Sequence, residues 1–374
     1  MSKQIDFYSL AQAGVRDLKP YVPGKPVSEL QRELGLEQIV KLASNENPLG
    51  PSDRVKSAVI AALDEQARYP DASGFELKDQ LAEKHGLNPN QITLGNGSND
   101  VLVLLAQAFL TPQHNSVFSQ YAFAVYPIAT KAVNAEARIA SANPVSHSQP
   151  LGHDLKAMAE LVDENTRLIF IANPNNPTGT WIDSAELEAF VANVPDTALV
   201  VVDEAYTEYV TDQDIPDTSK WLSKYPNLVV SKTFSKAYGL AGFRVGYCLS
   251  HPDVADLLNR IRPPFNVNSL ALVAAQTALQ DEDYLQRSVE LNETGKAYLS
   301  RELKALGLTV IPSATNFLLV DMGEEASGLN RQLLEAGVIV RPVGNYGLPN
   351  HLRVSIGLKQ ENEFFVQALQ KILK

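Results

Sequence analysis

Residues 231–246 read SKTFSKAYGLAGFRVG, entered from the apolar run Leu228-Val229-Val230. Lys236 follows two hydroxyl residues, Thr233 and Ser235, and Arg244 stands a short way beyond it. Small residues fill the interval, so the chain can bring the amine, the hydroxyls and the guanidinium together. Hydroxyl and guanidinium donors in that company suit a phosphate. A lysine with a fixed address beside them suits covalent bonding to a carbonyl. A solvated lysine in a Ser/Gly-rich loop would fit the same stretch taken alone, so the decision rests on what surrounds it.

Upstream, RLIFIA (167–172) and ALVVV (198–202) are unbroken apolar runs, as strands of a buried parallel sheet are. The first ends in NPNNPTG (173–179), a stiff loop at a strand's carboxyl end, where α/β folds bind ligands. The second ends in Asp203-Glu204-Ala205-Tyr206. A carboxylate directly after such a run should be partly buried and in need of a partner. A protonated ring nitrogen, an arginine or a helix-capping role would each serve. The separation of Asp203 from Lys236 suits one strand-to-strand crossover.

Further out, Gln91–Leu94 reads as a strand, followed by Gly95-Asn96-Gly97-Ser98-Asn99 and an apolar helix through Leu110. Strand, glycine turn and helix offer backbone N–H groups and a helix N-terminus, adequate for one phosphate. A tight turn capped by Ser98 or Asn99 is the structural alternative. After a strand at 116–118 come Tyr121, Phe123 and Tyr126, placed either to stack on a flat ring or to fill the core. The start of the chain is a proline-rich arm around Tyr21, with an amphipathic stretch from Val27 to Leu36. LASNENP (42–48) has the texture of a loop, a helix is expected over 52–67, and RYPD (68–71) is a turn exposing Tyr69.

Beyond Gly246 the texture becomes helical, from Pro252 to Leu306 and including 268–279 and a long charged helix from about Asp283. Short strands follow at 308–311, 316–320, 338–340 and 352–356, with a final helix from about Gln360. A break at Arg262-Pro263-Pro264 suggests where a second, smaller α/β domain begins. Arg341 and Arg353 lie at strand edges beside apolar residues, where a guanidinium fork suits carboxylate or phosphate. A surface salt bridge is the alternative for each.

The 374 residues suggest two domains. A net charge of −11 argues against nucleic-acid or anionic-membrane binding. The lone cysteine, Cys248, cannot form an internal disulfide, the N-terminus has no signal-like apolar core, and no run is long enough to cross a bilayer. A cytoplasmic protein is expected. The six histidines form no pair at ligand spacing, so no metal is expected.

In this order the pieces resemble the fold-type I pyridoxal phosphate (PLP) aminotransferases over essentially the whole chain. The resemblance rests on Asn173–Gly179, Asp203-x-x-Tyr206, Ser235-Lys236 and Arg244 together. Within that family, LASNENP, RYP, Gly97-Ser98-Asn99, ALVVVDEAY and TFSKAYGLAGFRVGY are similar to the histidinol-phosphate aminotransferase branch.

The resemblance implies an α/β three-layer sandwich around a mostly parallel sheet, with an arm (1–45), a large PLP domain (46–262) and a small α/β domain (263–374). It implies PLP bonded to Lys236, with Asp203 on the ring nitrogen. Tyr206 and Asn176 would hold the phenolic oxygen. The phosphate would lie among Gly97, Ser98, Asn99, Thr233, Ser235 and Arg244, with Tyr69 reaching in from the second subunit of a homodimer. Phe123, or less well Tyr121, would stack on the ring. Tyr21, Asn45, Asn176, Arg341 and Arg353 would bind histidinol phosphate, and 2-oxoglutarate would accept the amino group. The rivals are an aromatic amino-acid aminotransferase, a decarboxylase of a phosphorylated amino acid, a PLP-holding transcription regulator and a plain nucleotide-binding module. The regulator would need a DNA-binding domain, and only an arm precedes the first motif. The nucleotide module would not need both Lys236 and Asp203.

Overall fold

Three adjacent parallel strands with aligned carboxyl ends set out the molecule, which a computed structural model describes over residues 5–21 and 23–374. The strands are, in chain order, β1 Val40–Lys41, β2 Ile92–Gly95, β3 Asn115–Ser119, β4 Glu136–Ala140, β5 Thr166–Ala172, β6 Leu199–Asp203 and β7 Leu228–Thr233. They continue with β8 Gly246–Leu249, β9 Thr309–Val310, β10 Phe317–Asp321, β11 Val338–Ile339, β12 Arg341–Val343 and β13 Leu348–Ser355.

The large sheet has the order β2-β8-β7-β6-β5-β3-β4. Strands β3 to β7 pair in parallel, and β8 runs antiparallel between β7 and β2. Ala172, Asp203 and Ser231 are neighbours across β5, β6 and β7, so the three following loops leave from one edge. Strands β6 and β7 carry Val200, Val201, Val202, Val229 and Val230, all fully buried because helices cover both faces. The architecture is α/β around a mixed, mostly parallel sheet.

The smaller sheet, β12-β13-β10-β9, is antiparallel. Its apolar face packs with the helices Ala326–Glu335 and Lys359–Ile372 and the end of the long helix Glu282–Ala305. Two features depart from the expected boundaries. Helix Ser269–Leu279 packs on the helices Asp53–Ala61 and Phe75–His85, and its alanines enter the large sheet's core. The change from one core to the other therefore falls within the long helix, not at Arg262. At the other end, Val40 and Leu42 join the small core, because β1 pairs with β11. The expected helix over 52–67 is shorter: Asp53–Ala61, capped by Ser52 at 3.2 Å to the Val55 N–H, then a single 3-10 turn. Strands β4 and β8 were not expected.

Candidate active site

The loops leaving β5, β6 and β7 meet the small sheet around a cavity of about 300 Å3. Lys236 lies on its floor, half-buried, with Nζ 3.3 Å from the Ser44 carbonyl. Burial, followed by the nearby Arg353 guanidinium, lowers its pKa to about 8. The pleat of β6 turns Asp203 into the cavity and Glu204 to the opposite face. Glu204 there pairs with Lys232 at 2.6 Å.

Asp203 is buried, and its Oδ2 accepts from Tyr126 Oη at 3.0 Å. Its Oδ1 is buried without a partner. Burial pushes its pKa up to about 6, while the Tyr126 hydrogen bond opposes that. A buried acceptor left open costs about 1–3 kcal/mol unless a donor meets it. Tyr206 is buried as well, and its pKa is pushed up to about 12 by burial. Its Oη accepts from Asn45 Nδ2 at 3.0 Å. Asn45 sits at φ +54°, one of few non-glycine residues in the left-handed region, and Ser355 Oγ fixes its backbone N–H at 2.8 Å.

The opposite wall belongs to the small sheet. Arg341 and Arg353 face each other across β12 and β13, both buried. Arg353 donates through Nη1 to Asn176 Oδ1 at 2.5 Å and through Nη2 to the Ala43 carbonyl at 2.8 Å. Its Nε has no partner. Arg341 lies 5.5 Å over the ring of Tyr21.

At the other end, Arg244 Nη1 donates to Ser235 Oγ at 3.1 Å, next to Thr233 and the first turn of helix Ser98–Phe109. Gly97 has φ +80°, and a Cβ there would lie 2.3 Å from Arg244 Nη2. Only glycine allows that approach.

The structure thus brings together Tyr21, Asn45, Ser98, Asn99, Phe123, Asn176, Asp203, Tyr206, Thr233, Ser235, Lys236, Arg244, Arg341 and Arg353 around one cavity. Phe123 lines it, whereas Tyr121 packs against the separate cluster of Leu151, Ile311 and Leu319. Tyr69 is not in this cavity; it is 82% exposed and stacks on Phe265 at 4.6 Å. Sequence reasoning missed Glu46 and Tyr346, which also line the cavity, and left Tyr126 open as core. Tyr346 follows a strand-edge arginine in a glycine turn, and that position was the available signal. The Tyr126–Asp203 bond had no sequence signal.

These groups fit PLP on three counts: an orphaned buried carboxylate oxygen for a ring N–H, a cradle of Ser98, Thr233, Ser235 and Arg244 for a phosphate, and a lysine of lowered pKa in the same cavity. Among the described residues no group of His, Cys, Asp and Glu could hold a metal, and no helix is long and apolar enough to cross a membrane.

Comparison with known proteins agrees. The family described as "Aminotransferase class I and II" matches residues 37–369. Histidinol-phosphate aminotransferase 2 of Pseudomonas fluorescens (strain Pf0-1) is 58% identical over 98% of each chain. Histidinol-phosphate aminotransferase 1 of Nitrosococcus oceani is 53% identical, again over 98% of each. The crystal structure of histidinol-phosphate aminotransferase from Sinorhizobium meliloti in complex with pyridoxal-5'-phosphate superposes with a TM-score of 0.88 at 29% identity, covering 96% of each chain. The aromatic alternative is not favoured by these relatives. The chain belongs to the class I and II aminotransferase family.

Proposed function

We infer that the protein is a PLP-dependent aminotransferase that moves the amino group of L-histidinol phosphate to 2-oxoglutarate, giving imidazole-acetol phosphate and L-glutamate in histidine biosynthesis. The observation that carries the substrate is the Arg341–Arg353 pair. Like charges directly opposite in a sheet destabilise it. These two are buried, and among the described residues neither has a carboxylate within ion-pair distance. Two guanidinium forks without an internal anion suit a doubly charged phosphate.

When bound, PLP supplies an aldehyde that takes up the amino group and a ring that spreads the charge left on the substrate carbon. Lys236 Nζ would hold it covalently between turnovers. Asp203 would accept the ring N–H and keep that nitrogen protonated, and its burial would strengthen the interaction. Ser98, Asn99, Thr233, Ser235 and Arg244 would hold the phosphate, Asn176 and Tyr206 would hold the phenolic oxygen, and Phe123 would stack on the ring. Lys236 Nζ would then take the proton from the carbon bearing the amino group and deliver it to the cofactor carbon that had carried the aldehyde. A pKa of about 8 lets it serve as base and acid near neutral pH. Arg353, Arg341, Tyr21 and Asn45 orient the substrate for that transfer.

A homodimer with Tyr69 reaching the second copy's phosphate site is part of the same reading. Support comes from its exposure and that of Ile60, Leu63 and Phe75 nearby in the chain. A cytoplasmic setting is supported by the lone, buried Cys248.

The test is kcat/KM with 2-oxoglutarate for L-histidinol phosphate, L-histidinol and L-phenylalanine. Strong dependence on the phosphate is expected. Equal use of phenylalanine would overturn the substrate.

A further inference from the structure

Asn47 stands in the loop 42–48 but does not line the cavity. It is buried, and its Nδ2 donates to the Ala237 carbonyl at 2.8 Å and to Ser288 Oγ at 2.6 Å. Ser288, also buried, donates from the long helix to the same carbonyl at 3.1 Å. Two side chains from distant parts of the chain thus converge on the carbonyl of the residue that follows Lys236. The same turn is closed by Gly239 N–H on the Lys236 carbonyl at 2.9 Å. Gly239, at φ +70°, packs against Gly50, and Tyr284 of the long helix donates to the Gly50 carbonyl. The long helix continues into the small core, where Leu299 and Leu303 are buried. No other described side chain donates to Ala237.

We propose that Asn47 and Ser288 are positioning residues that hold the Ala237 carbonyl and so fix the Lys236 amine relative to the substrate carbon. They touch neither substrate nor cofactor. They act through the backbone of the turn and tie it to the helix that carries the small unit. The proposal rests on the reading of Lys236 as the proton carrier. If the lysine turn loosens, the proton-transfer step slows while substrate binding, set by Arg341 and Arg353, stays as it was.

Ser288→Ala removes one donor with little change of volume. Asn47→Asp keeps the shape and the acceptor that Leu49 N–H uses at 3.0 Å, but loses the donor to Ala237. Both are assayed as holoenzymes, with turnover expressed per bound cofactor, alongside KM, melting temperature and the isotope effect for substrate deuterated at the amino-bearing carbon. The expected result is a kcat lower by roughly 3-fold in Ser288→Ala and roughly 10-fold in Asn47→Asp, as loss of one or two hydrogen bonds predicts. KM should hold within about 2-fold, and the isotope effect should rise. Unchanged kcat per bound cofactor and an unchanged isotope effect, even with a lower melting temperature, would overturn the proposal. A Lys236→Ala enzyme that still turned over would instead remove the reading beneath it.

Discussion

The phenol of Tyr126 donates to Oδ2 of Asp203 at 3.0 Å and leaves Oδ1 buried without a partner. Tyr126 is itself fully buried and stacked on Phe170 at 4.8 Å, so the bond is rigidly held. Burial raises the Asp203 pKa and this bond opposes the rise. Tyr126→Phe should therefore push the carboxyl above about 6 and move the acid limb of the kcat/KM profile to higher pH. A loss of roughly tenfold at neutral pH is expected from removing a hydrogen bond to a charged group. Superimposable pH profiles for the two enzymes would count against the assignment of Asp203.

Lys236 gives a second pH signature. Its folded-state pKa, about 8, is below the ordinary 10.5, so folding disfavours the charged amine. The destabilisation is fully present below about 8 and is relieved as pH rises toward 10.5. The free base forms the bond to the aldehyde, so the rate of cofactor uptake by apoprotein should climb with pH and level off just above 8. A climb that continued to pH 10 would mean an unperturbed lysine. Lys236→Ala should lose both turnover and the visible band of the bound cofactor.

Arg353→Lys keeps the charge and loses the fork that spans Asn176 and the Ala43 carbonyl. KM for histidinol phosphate should rise by roughly 10–100-fold with a smaller change in kcat, as for a lost charge-assisted bidentate contact. Steady-state kinetics over phosphate-bearing and phosphate-free substrates checks this, and an equal loss for both would place Arg353 elsewhere.

Gly97→Ala tests the phosphate cradle. The added methyl would meet Arg244 Nη2 at 2.3 Å and strain a residue at φ +80°. Arg244 must swing away, so cofactor affinity should fall by roughly tenfold or more, read by titration of the apoprotein. Wild-type affinity would show that Arg244 does not bind the phosphate.

Much of this was legible in the residues themselves. Strands β5, β6 and β7 are buried on both faces, so each carries an apolar run, and Asp203 at the end of β6 and Asn176 and Lys236 in the loops after β5 and β7 follow those runs. Strand β4 was not legible because it is an edge strand, partly exposed, without such a run. Strand β8 lies inside the apolar end of the lysine motif and looks like its tail. Helix Ser269–Leu279 is apolar nearly all round, so its sequence does not say which core it joins. Tyr126 and Asp203 are 77 residues apart, and a hydrogen bond over that distance leaves no periodicity to find. Asn47 reads as a turn residue because its two partners come from later in the chain.

The most direct test is the absorbance spectrum of the holoenzyme when L-histidinol phosphate is added with no keto acid present. The lysine-bound cofactor should absorb near ~420 nm, and amino-group transfer should replace that band with one near ~330 nm, restored by 2-oxoglutarate. A band that ignored histidinol phosphate but answered to phenylalanine would contradict the substrate while keeping the chemistry. No band after addition of PLP would contradict the role of every residue placed around Lys236.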